Sequence, residues 1–126
     1  MLNLTVTEDE QGAGMQQLPV DEILFLQSNA NDFIDVHTKN KQYYVVGSLK
    51  FWESAFEQTD LNFLRLDRGV LTNMDKIRCL NTSLKVAYFD YPLKRDTKYC
   101  TISYGRYRTI LKKLPPELPK IETALL

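Results

Sequence analysis

Short apolar runs separated by turn-forming residues dominate this chain, and they restrict it to a fold of many short strands. Leu2, Leu4 and Val6 alternate with polar neighbours, which predicts a first strand. Glu8-Asp9-Glu10-Gln11-Gly12-Ala13-Gly14 follows with turn chemistry. Leu18-Pro19-Val20 reads as a short extended piece, and Pro19, which has no N–H to give a ladder, favours an edge or a strand start. Ile23-Leu24-Phe25-Leu26 has no polar member, as expected of a strand covered on both faces. Ser28 to Asp32 breaks it, Phe33 to Thr38 resumes, Lys39-Asn40-Lys41 turns, and Gln42 to Val46 returns.

The period then changes. Ser48 is a candidate N-cap, with Leu49, Trp52 and Phe56 on one face of a short helix. These aromatics and Phe51 are expected in the core or at its edge. Phe63 to Leu66, Val70-Leu71, Ile77 to Leu80, Leu84 to Phe89 and Lys98 to Ile102 are further strand candidates. After Ser103, Tyr104, Tyr107, Leu111 and Leu114 form the apolar stripe of a terminal helix that Pro115-Pro116 stops. Residues 117–126 show little periodicity and read as a loose tail. The residues alone predict a mostly β domain with one internal and one C-terminal helix.

The 126 residues suit one domain, with no internal repeat or linker. An apolar share of 44% and a charged share of 25% are those of a globular chain, not a disordered one. No apolar run approaches the roughly 18 residues of a membrane span, and the acidic start lacks the basic region of a secretory signal. A cytoplasmic location is therefore expected, without membrane insertion. Cys79 and Cys100 are too far apart for a zinc ligand pair and read as buried, reduced thiols. The single histidine, His37, reads as a strand surface residue. GxSxG, GxxxxGK[ST] and GxGxxG are all absent. No enzyme activity, metal, cofactor or small-molecule substrate is expected.

The net charge of zero hides a gradient: residues 1–36 carry −7, and residues 75–113 carry +7. Such asymmetry points to a polyanionic partner, or else to a solvated basic surface paired with the acidic third.

In order along the chain, Leu18 to Leu26, Asn31 to Thr38, Val46-Gly47-Ser48-Leu49 with Trp52 and Phe56, Phe63-Leu64-Arg65-Leu66-Asp67-Arg68-Gly69-Val70-Leu71-Thr72-Asn73, and Lys76 to Leu80 with Ile102-Ser103 resemble successive segments of the LytTR family of bacterial DNA-binding domains. The resemblance covers about Leu2 to Leu114, so residues 1–114 are read as the domain and 115–126 as a tail. It implies small stacked β-sheets of roughly ten short strands and a transcription regulator that reads double-stranded DNA with loops in successive major grooves, often as a homodimer on repeated sites. A receiver domain precedes the unit in many relatives. None fits here, because the first strand is expected to begin at Met1, so the chain is read as a stand-alone version or a fragment of a longer protein.

Carried onto this sequence, the resemblance implies three DNA-facing loops. The first spans Asn29 to Asp32, including Asn31. The second is Asp67-Arg68-Gly69, with Arg65 just before it. The third is Ser103-Tyr104-Gly105-Arg106. Arg68 and Arg106 suit a bidentate fork to guanine, and an Asn amide suits adenine. Ser103, Arg108, Lys112 and Lys113 suit phosphates. Asp67, Gly105 and Asp32 depart from the family pattern, which leaves a second reading open: a non-enzymatic protein-interaction module on the same fold.

Overall fold

The computed structural model describes residues 2–29 and 31–122. Met1, the expected start of the first strand, lies outside them, as do Ala30 in the first loop and residues 123–126 of the tail. The strands are β1 (Asn3–Val6), β2 (Gln16–Pro19), β3 (Phe25–Ser28), β4 (Phe33–His37) and β5 (Gln42–Val46), followed by helix α1 (Leu49–Gln58). Then come β6 (Phe63–Asp67), β7 (Val70–Asn73), β8 (Cys79–Asn81), β9 (Val86–Tyr88), β10 (Tyr99–Thr101), helix α2 (Tyr104–Lys112) and β11 (Lys120–Ile121). They form a β1–β2 hairpin, a five-stranded antiparallel sheet in the order β5-β4-β3-β7-β6, and a four-stranded sheet in the order β10-β9-β8-β11. The fold is mostly β with two helices, as the sequence predicts.

The five-stranded sheet is covered on both faces. Ile23, Leu26, Ile34, Val36 and Leu71 face one core, closed by Leu4 and Val6 of the hairpin and by Leu49 and Phe56 of α1. Leu24, Phe25, Leu66 and Val70 face a second core, closed by Leu80, Ala87 and Cys100 of the four-stranded sheet and by Ile110 of α2. Side chains of a strand alternate between faces, and Phe25 and Leu26 at the start of β3 accordingly face different cores; Ile23 and Leu24, just before the strand, add one side chain to each. Burial of these side chains is the main stabilising term, at roughly 25 cal/mol per Å² of apolar surface. Ser48 caps α1 as expected, its hydroxyl accepting from Phe51 N at 3.1 Å.

Several expectations need correction. The strand predicted from Leu84 shrinks to Val86–Tyr88, because Lys85 takes a left-handed φ of 54° and ends the pairing. Residues 117–122 are not a loose tail: β11 adds a parallel strand to β8, with Leu80 N donating to Pro119 O at 3.0 Å. A strand this short leaves no period to read. Phe51 is not a core residue. It is 59% exposed and meets Trp52 edge-on. Tyr104 likewise leaves the apolar stripe of α2, at 81% exposure.

His37 is not a free surface residue either. It is half-buried, stacks on Phe25 with centroids 4.4 Å apart, and its Nδ1 lies 3.2 Å from Lys98 Nζ. Lys98 donates there only if the imidazole carries its proton on Nε2. Both cysteines are buried and unpaired. Burial pushes both thiols up, Cys100 to about 12.

Burial, with the Lys98 ammonium adding to it, pushes His37 down from 6.5 to about 4. Between those values the unfolded chain binds the proton and the folded one does not. The contribution of a neutral His37 is therefore complete above about pH 6.5 and is lost as the pH falls toward 4. Denaturant titrations across that window are expected to show a flatter pH dependence in His37→Gln than in the wild type. Parallel curves would mean that His37 titrates normally.

Candidate nucleic-acid interface

Register fixes which turns share an end of the five-stranded sheet. β3 pairs with both β4 and β7, so the β3–β4 loop and the β6–β7 turn emerge side by side. Ser28 N donates to Gly69 O at 3.0 Å across them. A side chain at Gly69 would bring a Cβ to 3.2 Å from Ser28 Oγ, so the closeness of the two turns favours glycine there. The chain between β10 and α2 lies against the other flank of the β6–β7 turn. Ser103 N donates to Leu66 O at 2.9 Å, and Thr101 Oγ1 donates to Asp67 Oδ2 at 2.9 Å. The three loops singled out by the sequence thus stand in one hydrogen-bonded row.

Within the first loop, Asn29 works internally. Its Oδ1 accepts from Asn31 N at 2.9 Å, and its Nδ2 donates to Asp35 Oδ1 at 2.8 Å. Asp32 closes the turn at a φ of 62°, a left-handed conformation that Asp tolerates better than most residues. Asn31 and Asp32 are exposed, which leaves the Asn31 amide as the one facing solvent.

In the second turn Asp67 is an organiser. Its Oδ1 accepts from Arg68 N at 2.6 Å while its Oδ2 holds Thr101. Arg65 braces the same turn from behind. One guanidinium nitrogen meets Glu53 Oε1 of α1 at 3.3 Å, the other donates to the Arg68 carbonyl, and its Nε is buried without a partner. Arg65 therefore faces inward, while Arg68 projects into solvent. Asp followed two residues later by Gly is a turn signal, and it is the sequence feature that marks Asp67 as a structural acid.

Ser103 begins α2 in an extended conformation, and its hydroxyl makes no capping bond to the helix. The first turn of α2 presents its backbone N–H groups, Tyr104, Gly105 and Arg106 beside the Arg68 turn, with Arg106 N bonded to Ser103 O at 3.1 Å. Arg106, Arg108 and Lys112 are all exposed. Among the described residues, Arg68, Arg106, Arg108 and Lys112 form no ion pair. Lys112 lies about 12 Å along the helix axis from Tyr104, away from the row. The structure thus brings together Asn29, Asn31, Asp32, Arg68, Ser103, Tyr104 and Arg106. It sets Arg65 behind them, and Arg108 and Lys112 along the helix.

Asp67→Ala removes both hydrogen bonds and is expected to cost about 1–2 kcal/mol of stability in urea unfolding, with Asp67→Asn close to the wild type. Unchanged stability together with tighter DNA binding would instead mark Asp67 as a repulsive charge.

Residues 13–115 match the family described as the LytTr DNA-binding domain. Among solved structures, the chain resembles a LytTr DNA-binding domain from Bacillus cereus, described as part of a methyl-accepting/DNA response regulator. That likeness has a TM-score of 0.67 at 13% identity and covers 89% of this chain and 95% of the other. No curated protein matches the chain. No helix among the described residues is long and apolar enough to cross a membrane. The family match takes in β2 to α2 and the whole row of turns, and the fold agrees with it: this chain belongs to the LytTR family, whose domains are non-catalytic and bind DNA.

Proposed function

We propose that this protein is a sequence-specific binder of double-stranded DNA and acts as a transcription regulator in the bacterial cytoplasm. The row of turns at one end of the five-stranded sheet is the contact surface, and it reads base edges in successive major grooves. The observation that carries this reading is the pair of exposed guanidiniums, Arg68 and Arg106, on adjacent turns tied by hydrogen bonds, neither in an ion pair among the described residues.

The chemistry follows from the groups on display. Arg68 and Arg106 each offer a fork for guanine O6 and N7, and the Asn31 amide matches adenine N6 and N7. Ser103, with its uncommitted hydroxyl, takes a phosphate together with the first N–H groups of α2. Arg108, Lys112 and Lys113 add phosphate contacts, which fix register without reading sequence. Asn29, Asp67 and Arg65 act as positioning residues, holding the turns in shape. A homodimer on repeated sites would double the length of sequence read.

If about six phosphates are engaged, affinity in gel-shift titrations falls about a thousandfold between 50 and 200 mM salt. Arg68→Ala and Arg106→Ala each cost about 1–3 kcal/mol and relax specificity at one base position. An equal loss on every sequence would reassign the residue to a phosphate. No shift of any duplex at about 50 mM salt, where the electrostatic attraction is strong, would overturn the proposal in favour of the protein-interaction module.

A further inference from the structure

The row of turns continues past the third loop. β8 and β9 form a hairpin whose tip, residues 82–85, points the same way as the end of β10, because Thr101 pairs with Val86. Ile102 N donates to Lys85 O at 2.9 Å, while the next residue, Ser103, bonds to Leu66 on the opposite side. The segment entering α2 is thus held between the Arg68 turn and the 82–85 turn.

Lys85 is set in this turn in an unusual way. Its φ of 54° is a conformation that glycine or asparagine adopts more easily. Asn81 Oδ1 fixes the turn by accepting from Ser83 N at 3.0 Å and from Leu84 N at 2.9 Å. The Lys85 ammonium lies 4.9 Å from the Tyr104 ring centroid and 4.8 Å from that of Tyr107, and it donates to Thr82 O at 3.2 Å. Ring faces attract a cation without cancelling its charge. Among the described residues Lys85 forms no ion pair. Two acidic residues come near this tip: Glu122 accepts the Ser83 hydroxyl through its backbone carbonyl, and Asp67 Oδ2 is held by Thr101, the partner of Val86.

The geometry points to the 82–85 turn as a fourth DNA-contacting element, with Lys85 binding a backbone phosphate beside the start of α2. This rests on the DNA-binding reading above and extends the contact surface by one turn beyond the three loops. The two tyrosine rings and the Thr82 carbonyl hold the ammonium head of Lys85 in place, so that less of its side-chain freedom remains to be lost on binding. A point charge on a flexible stem suits a phosphate oxygen better than a base edge. Lys85 also meets the ring of Tyr104, which is 81% exposed.

The test uses the full chain with two duplexes, one selected by the wild-type protein from a random pool and one unrelated. Lys85→Asn removes the charge and tolerates the backbone conformation; Lys85→Arg keeps the charge. Lys85→Asn is expected to weaken binding about fivefold near 150 mM salt on both duplexes alike, and to lower the slope of log K against log salt by about 0.9. Lys85→Arg restores both. An unchanged slope, or a loss confined to the selected duplex, overturns the phosphate assignment. A lowered thermal midpoint with unaltered slope makes Lys85 a packing residue only. Failure of the wild type to shift either duplex defeats the DNA reading itself, and this inference with it.

Discussion

Burial of the central strands β3 and β7 on both faces is the constraint on which the rest of the molecule depends. Ile23, Leu26 and Leu71 on one side and Phe25 and Val70 on the other are nearly inaccessible to solvent. That requires a layer above the sheet and a layer below it. The hairpin and α1 supply one, and the small sheet with α2 supplies the other. With both faces occupied, polar chemistry is confined to the strand ends. The end that carries the β3–β4 loop, the β6–β7 turn and the start of α2 therefore displays exposed polar groups on a rigid scaffold.

Backbone hydrogen bonds bring that end into register. Ser28 to Gly69, Ser103 to Leu66 and Ile102 to Lys85 are all main-chain contacts between segments distant in sequence. They hold irrespective of the side chains displayed. The turns can therefore change their outward residues without losing their positions. Side chains add local stiffness: Asn29 closes the first loop on itself, and Asp67 and Arg65 lock the second.

Part of the charge along the gradient is taken up in internal contacts. Glu8 in the acidic third meets Lys41, and Asp9 accepts from the backbone of its own turn. In the basic stretch, Lys98 turns inward to His37 and the Lys41 carbonyl, and Arg78 bonds the carbonyls of Asp75 and Ile77. Beside the turns, Arg68 and Arg106 remain exposed. Charge counting alone left a polyanionic partner and a solvated basic surface both open, and it is the family match that points to DNA.

Most of the elements were legible because their signals are local. Alternation in Phe33 to His37, the Ser48 cap and the stop at Pro115 each follow from a few neighbouring residues. Of the unbroken run Ile23 to Leu26, all four side chains are buried but only Phe25 and Leu26 lie in a strand, because a 3-10 turn over Val20–Glu22 delays its start. The family segments marked the three loops. Short-range patterning was enough to indicate the strand-rich fold, the two helices and the residue types offered at each turn. Tertiary contacts alone set β11 at the edge of the small sheet, committed Asn29, Arg65 and Asp67 to bonds within the turns, and brought Lys85 beside Tyr104. Each of those outcomes depends on which distant segments lie side by side, and hydrogen bonding between remote stretches of backbone leaves no pattern in the order of residues.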